Sequence, residues 1–85
     1  MDNGILQLAT KFELDVRAEL DRALAAHGHF HSLHEAYAVL VEEIDEFWEH
    51  VRIKEDKRKA NAVYKELVQC AAMCLKAALF VKSAK

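Results

Sequence analysis

Proline is absent from this 85-residue chain, and glycine occurs only at positions 4 and 28. Tight turns between strands draw on those two residues for their special backbone angles. A multi-stranded fold therefore has almost nothing here from which to build its reversals. Helices need neither residue, and apolar side chains recur at three- and four-residue steps through most of the chain. The expected fold is all-α: an antiparallel helical bundle of about three helices per chain, forming one domain over residues 1–85.

The spacing predicts a first helix from about Ile5 to His27, with Ile5, Ala9, Phe12, Val16, Leu20 and Ala23 on one stripe. Gly28 offers it a left-handed C-terminal cap. Ser32 followed by Glu35 is a capping box, in which the serine oxygen takes an orphan amide hydrogen and the glutamate reaches back. It opens a second helix from about Leu33 to Lys54, whose expected inward stripe is Leu33, Tyr37, Leu40, Ile44, Phe47 and Val51, with Trp48 at one margin. The charged run RIKEDKRK connects it to a third helix from about Arg58 to Lys82.

The third helix carries a main stripe that includes Val63, Leu67, Ala71, Cys74 and Ala78, and beside it a second apolar row of Cys70, Met73, Ala77 and Phe80. Two rows require two packing partners. A chain of this length also has difficulty covering a core alone, so the bundle is expected to be completed by oligomerisation, as a homodimer or homotetramer. Cys70 and Cys74, one turn apart, read as buried thiols and not as a disulfide framework or redox motif.

A formal net charge of -2 gives no electrostatic reason to expect nucleic acid or an anionic membrane as partner. No apolar run approaches the roughly 20 residues of a bilayer span, and the segment MDNGILQLATKFELD lacks the basic start and apolar stretch of a signal peptide. A cytoplasmic location is the expectation.

Against that background the stretch VLVEEIDEFWEHV, residues 39–51, sets five acids among aliphatic and aromatic residues. On a helix, Glu42, Asp45 and Glu49 project away from the expected stripe and suit a solvated face. Glu43, Glu46 and His50 run down its flank. On the third helix Glu66 falls in the apolar row with Cys70 and Met73. A buried carboxylate needs a cation or strong hydrogen bonds to stay charged. Two helices turning carboxylates toward each other call for a cation between them. Mg²⁺ is hard, prefers oxygen ligands and keeps exchangeable waters; Lys65 or Lys76 would neutralise the acids in a purely structural ion-pair network instead.

The same residues carry a family resemblance. EEIDE, residues 42–46, resembles the EExxE signature of the MazG-like all-α nucleoside triphosphate pyrophosphohydrolases, and ELVQ, residues 66–69, sits where that family has ExxD, after a gap of the right size. The resemblance covers about the C-terminal two-thirds of the chain, through HEAYAVLVEEIDEFWEHV and KELVQCAAMCLKAAL. It implies hydrolysis of a ribo- or deoxyribonucleoside triphosphate between the α- and β-phosphates, with Mg²⁺, or Mn²⁺ in its place, as cofactor. By that resemblance Glu43, Glu46 and Glu66 are metal ligands, and Glu42 is a base or outer acid for the attacking water. Gln69 stands where the family pattern has aspartate and offers the metal only a neutral oxygen. That departure favours an alternative, a homologue that binds nucleotide or a helical partner without turnover.

Around this set, His50 and Lys54 continue the Glu43 flank toward the basic residues Lys57, Arg58 and Lys59 and are candidates for phosphate oxygens, as is Lys65. Asn61 is a candidate hydrogen-bonding residue, and Trp48 or Tyr37 a candidate for stacking on a base, although an aromatic at helical spacing usually belongs to a core. His27, His29, His31 and His34 form a weak zinc signal, since no cysteine or carboxylate completes the set. A ferritin-like di-iron bundle is disfavoured more firmly, by the lack of any Glu-x-x-His pair.

Overall fold

Each helix starts and stops where local chemistry satisfies its end groups. Asp2 accepts a hydrogen bond from the Ile5 amide at 2.9 Å, and Ser32 Oγ accepts one from the Glu35 amide at 3.0 Å. Glu35 reaches back to the His31 amide at 2.6 Å, one residue earlier than a standard capping box. Gly28 closes the first helix, donating its amide to the Leu24 carbonyl; its φ of 73° is positive as expected, but ψ -170° takes it out of the left-handed helical region into one that glycine alone adopts readily. In the computed structural model, which describes residues 2–83, the chain folds as α1 (Asn3–His27), α2 (Leu33–Val51) and α3 (Ala60–Ser83). A single 3₁₀ turn, Glu55–Lys57, lies between α2 and α3. The fold is all-α with three helices packed together.

The second helix ends three residues before the expected Lys54, and Arg58 supplies the reason. Its guanidinium donates to the carbonyls of His50 (3.1 Å), Val51 (2.8 Å) and Ile53 (3.0 Å). These carbonyls lie at and just beyond the end of α2, where acceptors lack helical partners, and a cation also suits the negative end of the helix dipole.

The middle position belongs to α3, which packs against both α1 and α2, whereas α1 and α2 make no close backbone approach to each other among the described residues. Tyr64 touches Asp15 and Phe12 near the start of the α1–α3 contact, its hydroxyl donating to Asp15 at 2.6 Å and its ring meeting Phe12 edge-on. This register carries residues 3–10 of α1 past the first turn of α3. Ile5 and Ala9, expected on the inward stripe, are exposed for that reason, while Val16, Leu20 and Ala23 are buried as expected.

Two sequence expectations need correction at the α2–α3 contact. The face of α2 turned to α3 is Ala36, Leu40, Glu43 and Phe47, flanked by Val39 and His50; Leu33, Tyr37, Ile44 and Val51 are exposed. On α3 the row through Cys70, Met73, Ala77 and Phe80 turns inward with Glu66, and Leu67, Cys74 and Ala78 of the expected main stripe are exposed. On α2 a small residue marks the contact: Ala36 is 2 % exposed, while the bulkier row of Leu33, Tyr37 and Ile44 stays outside. The exposure of Cys74 overturns its reading as a buried thiol; Cys70 is half-buried, and both are free.

Candidate metal centre

Helical spacing brings Glu43 and Glu46, three residues apart, to neighbouring positions on α2. The antiparallel pairing of α2 with α3 sets Glu66 opposite them. One carboxylate oxygen from each of the three lies within 4.8 Å of the others. Glu66 is buried, Glu43 half-buried and Glu46 exposed, so the cluster runs from the helix contact outward to solvent.

No basic side chain neutralises it. Among the described residues, none of the three acids takes part in an ion pair. Glu43 Oε2 and Glu66 Oε2 are buried without a hydrogen-bond partner. Buried carboxylate oxygens without donors are uncommon, because each loses its water without replacement. Burial first, and then the hydrogen bond and negative field of Glu43 with the field of Glu46, push the Glu66 carboxyl up to about 8. At neutral pH the cluster therefore retains a proton unless another cation takes its place.

Cys70, one turn along α3 from Glu66, donates its thiol to the Glu43 carbonyl at 3.5 Å. Burial, reinforced by Glu66 and Glu43, pushes this thiol up to about 11. It is a packing residue that holds α2 to α3 and not a thiolate nucleophile.

A cavity of about 390 Å³ opens beside Glu43, the one member of the cluster in its wall, and is lined also by Glu42 and Gln69 and, from α1, by Glu19 and Arg22. Lys76 closes its far end, buried with its ammonium 4.2 Å from the Phe30 ring centre. Lys76 thus packs against an aromatic face and does not pair with the three acids. Glu19 and Arg22 pair with each other, with Arg22 Nε donating to Glu19 at 3.0 Å. Neither is a candidate from the sequence, because an acid and a base three apart on a helix give no sign that they border a cavity.

The other candidates distribute around this centre. Glu42 is exposed at the cavity rim, Gln69 half-buried in its wall, and His50 half-buried further along the inner face of α2. Asn61 and Lys65 line a second, larger groove of about 990 Å³ between α1 and the start of α3, together with Lys59 and Tyr64. The two hollows share Glu19 and Arg22. Lys54 and Lys57 are exposed in the connection, and Arg58 is engaged in capping α2. Trp48 and Tyr37, 55 % and 70 % exposed, lie on the flank of α2 turned away from Glu46. The histidines do not assemble: the three glutamates are the metal-competent group found among the described residues, and His31 instead faces Glu35 at 3.3 Å.

Comparison with known proteins yields no family model, no characterised relative and no solved structure that matches this chain. Among the described residues, no helix is long and apolar enough to cross a membrane.

Proposed function

We propose that the chain is a Mg²⁺-dependent nucleoside triphosphate pyrophosphohydrolase, acting in the cytoplasm and releasing a monophosphate and pyrophosphate. The observation that carries this reading is the meeting of Glu43, Glu46 and Glu66 with two buried carboxylate oxygens left without donors. An all-oxygen, all-anionic donor set fits a hard divalent cation and is a poor match to softer metals. The likeness of EEIDE and ELVQ to the paired motifs of the MazG-like enzymes supports the same conclusion independently of the geometry.

Glu43, Glu46 and Glu66 would hold the ion, with Gln69 offering a neutral oxygen from the cavity wall. Mg²⁺ there would supply charge neutralisation for a triphosphate and would activate an attacking water. The protein's own contributions follow from position. Glu42, at the rim and exposed, is placed to accept a proton from a water at the cavity mouth. Arg22, which lines both hollows, is the guanidinium that would meet an occupant's phosphates. The small cavity suits a polyphosphate, and the adjoining groove with Asn61 and Lys65 has room for a nucleoside.

The deciding experiment measures pyrophosphate release from a panel of ribo- and deoxyribonucleoside triphosphates, with and without Mg²⁺. Turnover that requires the metal and disappears in Glu66→Gln supports the enzyme; no turnover of any nucleotide at high protein concentration removes it. Gln69 favours a second reading, a nucleotide-binding scaffold without turnover, for which nucleotide-induced thermal shifts without product would be the signature.

A further inference from the structure

Every lysine and arginine among the described residues is exposed except Lys76, which is 5 % exposed. Its ammonium lies 4.2 Å from the centre of the Phe30 ring, and no carboxylate among the described residues comes within ion-pair distance of it. Glu35, whose carboxyl is lowered chiefly by the His31 amide, feels Lys76 only through its more distant field. An ammonium has three N–H donors, and a ring face attracts the charge without offering a lone pair. A buried cation with no anion in contact is costly for the same reason as a buried carboxylate without donors. The nitrogen is not sealed off, however. The fully buried side-chain polar atoms without partners are Oε2 of Glu43 and of Glu66 among the described residues. The Lys76 nitrogen, equally partnerless, therefore keeps open surface, and the cavity of about 390 Å³ that Lys76 lines is where it opens.

That cavity joins the cation to the acid cluster. Gln69, Met73 and Lys76 follow at steps of four and three on α3 and all line it, so its α3 wall is one row about 10 Å long at the helical rise. Glu43, across from the Gln69 end, belongs to the candidate metal centre. The other acids of the lining are committed or remote: Glu19 pairs with Arg22, Glu35 accepts from the His31 amide, and Glu42 is exposed at the rim. An occupant that suits both ends brings a divalent cation to one and an oxyanion to the other. A metal-complexed phosphate chain has that polarity, and lysine meets phosphate as a point charge. Resting on the pyrophosphohydrolase reading, we propose that Lys76 receives the terminal phosphate of the nucleotide and thereby selects a triphosphate over a diphosphate, whose shorter chain, held at the metal, stops short of the ammonium.

Inorganic tripolyphosphate, titrated by calorimetry into the full chain at saturating Mg²⁺, tests the contact without requiring turnover. Lys76→Met keeps an unbranched stem against Phe30 and removes the charge. This variant should bind tripolyphosphate roughly 10- to 100-fold more weakly than the wild type, the scale of a hydrogen bond to a charged group, and should bind Mg²⁺ alone equally well. A nucleoside triphosphate with an imido bridge between its α- and β-phosphates should lose affinity by the same factor, and a nucleoside diphosphate by no more than about twofold. In the wild type, Mg²⁺ with tripolyphosphate should shift the NMR signals of the Lys76 side chain and the Phe30 ring, a readout independent of how the variant folds. Weaker tripolyphosphate binding by Lys76→Met, together with no turnover of any nucleotide by the wild type, keeps the phosphate site and removes the hydrolase. Equal tripolyphosphate binding by both proteins, equal weakening for di- and triphosphate, or no binding by the wild type overturns the proposal.

Discussion

On one flank of the α2–α3 hairpin carboxylates are buried, and on the other a tryptophan and a tyrosine lie bare. Ordinary folding places these groups the other way round. Glu66 is 7 % exposed and Trp48 55 % exposed, although both lie on helices of the same hairpin. The comparison teaches that each flank carries an uncompensated cost when the chain is alone: oxygens without donors on one side, apolar surface without cover on the other. Anything that binds the folded chain at either flank adds to its stability by mass action.

The largest effects are expected where the charged flank is broken. Glu43→Gln and Glu66→Gln should each lower Mg²⁺-dependent pyrophosphate release by roughly 100-fold or more, the scale of losing a metal ligand or its support, whereas Glu49→Gln, on the solvated side, should leave it within about twofold. Gln69→Asp sharpens the same point in the opposite direction. An added anionic oxygen in the cavity wall should tighten Mg²⁺ binding severalfold, measured by calorimetry.

The pH dependence separates the flanks next. Glu66 titrates near 8 in the folded chain and about 4.3 when unfolded. Between those values the unfolded chain has released a proton that the folded chain still holds, so stability falls as pH rises through that window and levels off above it. Below it both states are protonated and Glu66 contributes nothing. Asp15 and Glu35, whose carboxyls are lowered by Lys11 and by the His31 amide, respectively, act at more acidic pH and do not blur the slope. In chelator, Tm should therefore fall from pH 5 to pH 8, and Glu66→Gln should flatten the curve and raise Tm at pH 8 by roughly 5 °C. Ile44→Asp, on the other flank, should leave the slope in place.

A smaller effect belongs to the clamp that holds both flanks in register. Arg58→Ala removes three hydrogen bonds to the end of α2 and should cost about 1 kcal/mol in denaturant melts. Arg52→Ala, which loses only a surface pair with Glu49 at 3.4 Å, should cost less than about 0.5 kcal/mol.

Much of this was legible in the residues. The lack of proline, the cap at Ser32 and the glycine at 28 locate the helices, and Glu66 in an apolar row announces a buried acid. The rotation of α2 was not legible, because apolar residues occupy well over half of its circumference. Periodicity identifies two candidate faces there and favours the bulkier one. Ala36 reverses the choice by allowing closer approach to α3, and that depends on how two helices meet and not on either alone. Arg58 was hidden for a similar reason, since its partners are backbone carbonyls, which every sequence shares. The α1 contribution of Glu19 and Arg22 required knowing that the chain between α1 and α2 carries Phe30 under Lys76 and leaves a cavity there.

The central claim is that Glu43, Glu46 and Glu66 form a divalent-cation site, and calorimetric titration of Mg²⁺ and Mn²⁺ into the metal-free protein at pH 7 tests it most directly. Repeating the titration in buffers of different ionisation enthalpy counts the protons released. The account predicts saturable binding accompanied by loss of the proton held on Glu66, and neither in Glu66→Gln. Absence of binding by the wild type, or binding that Glu66→Gln leaves unchanged, would contradict it.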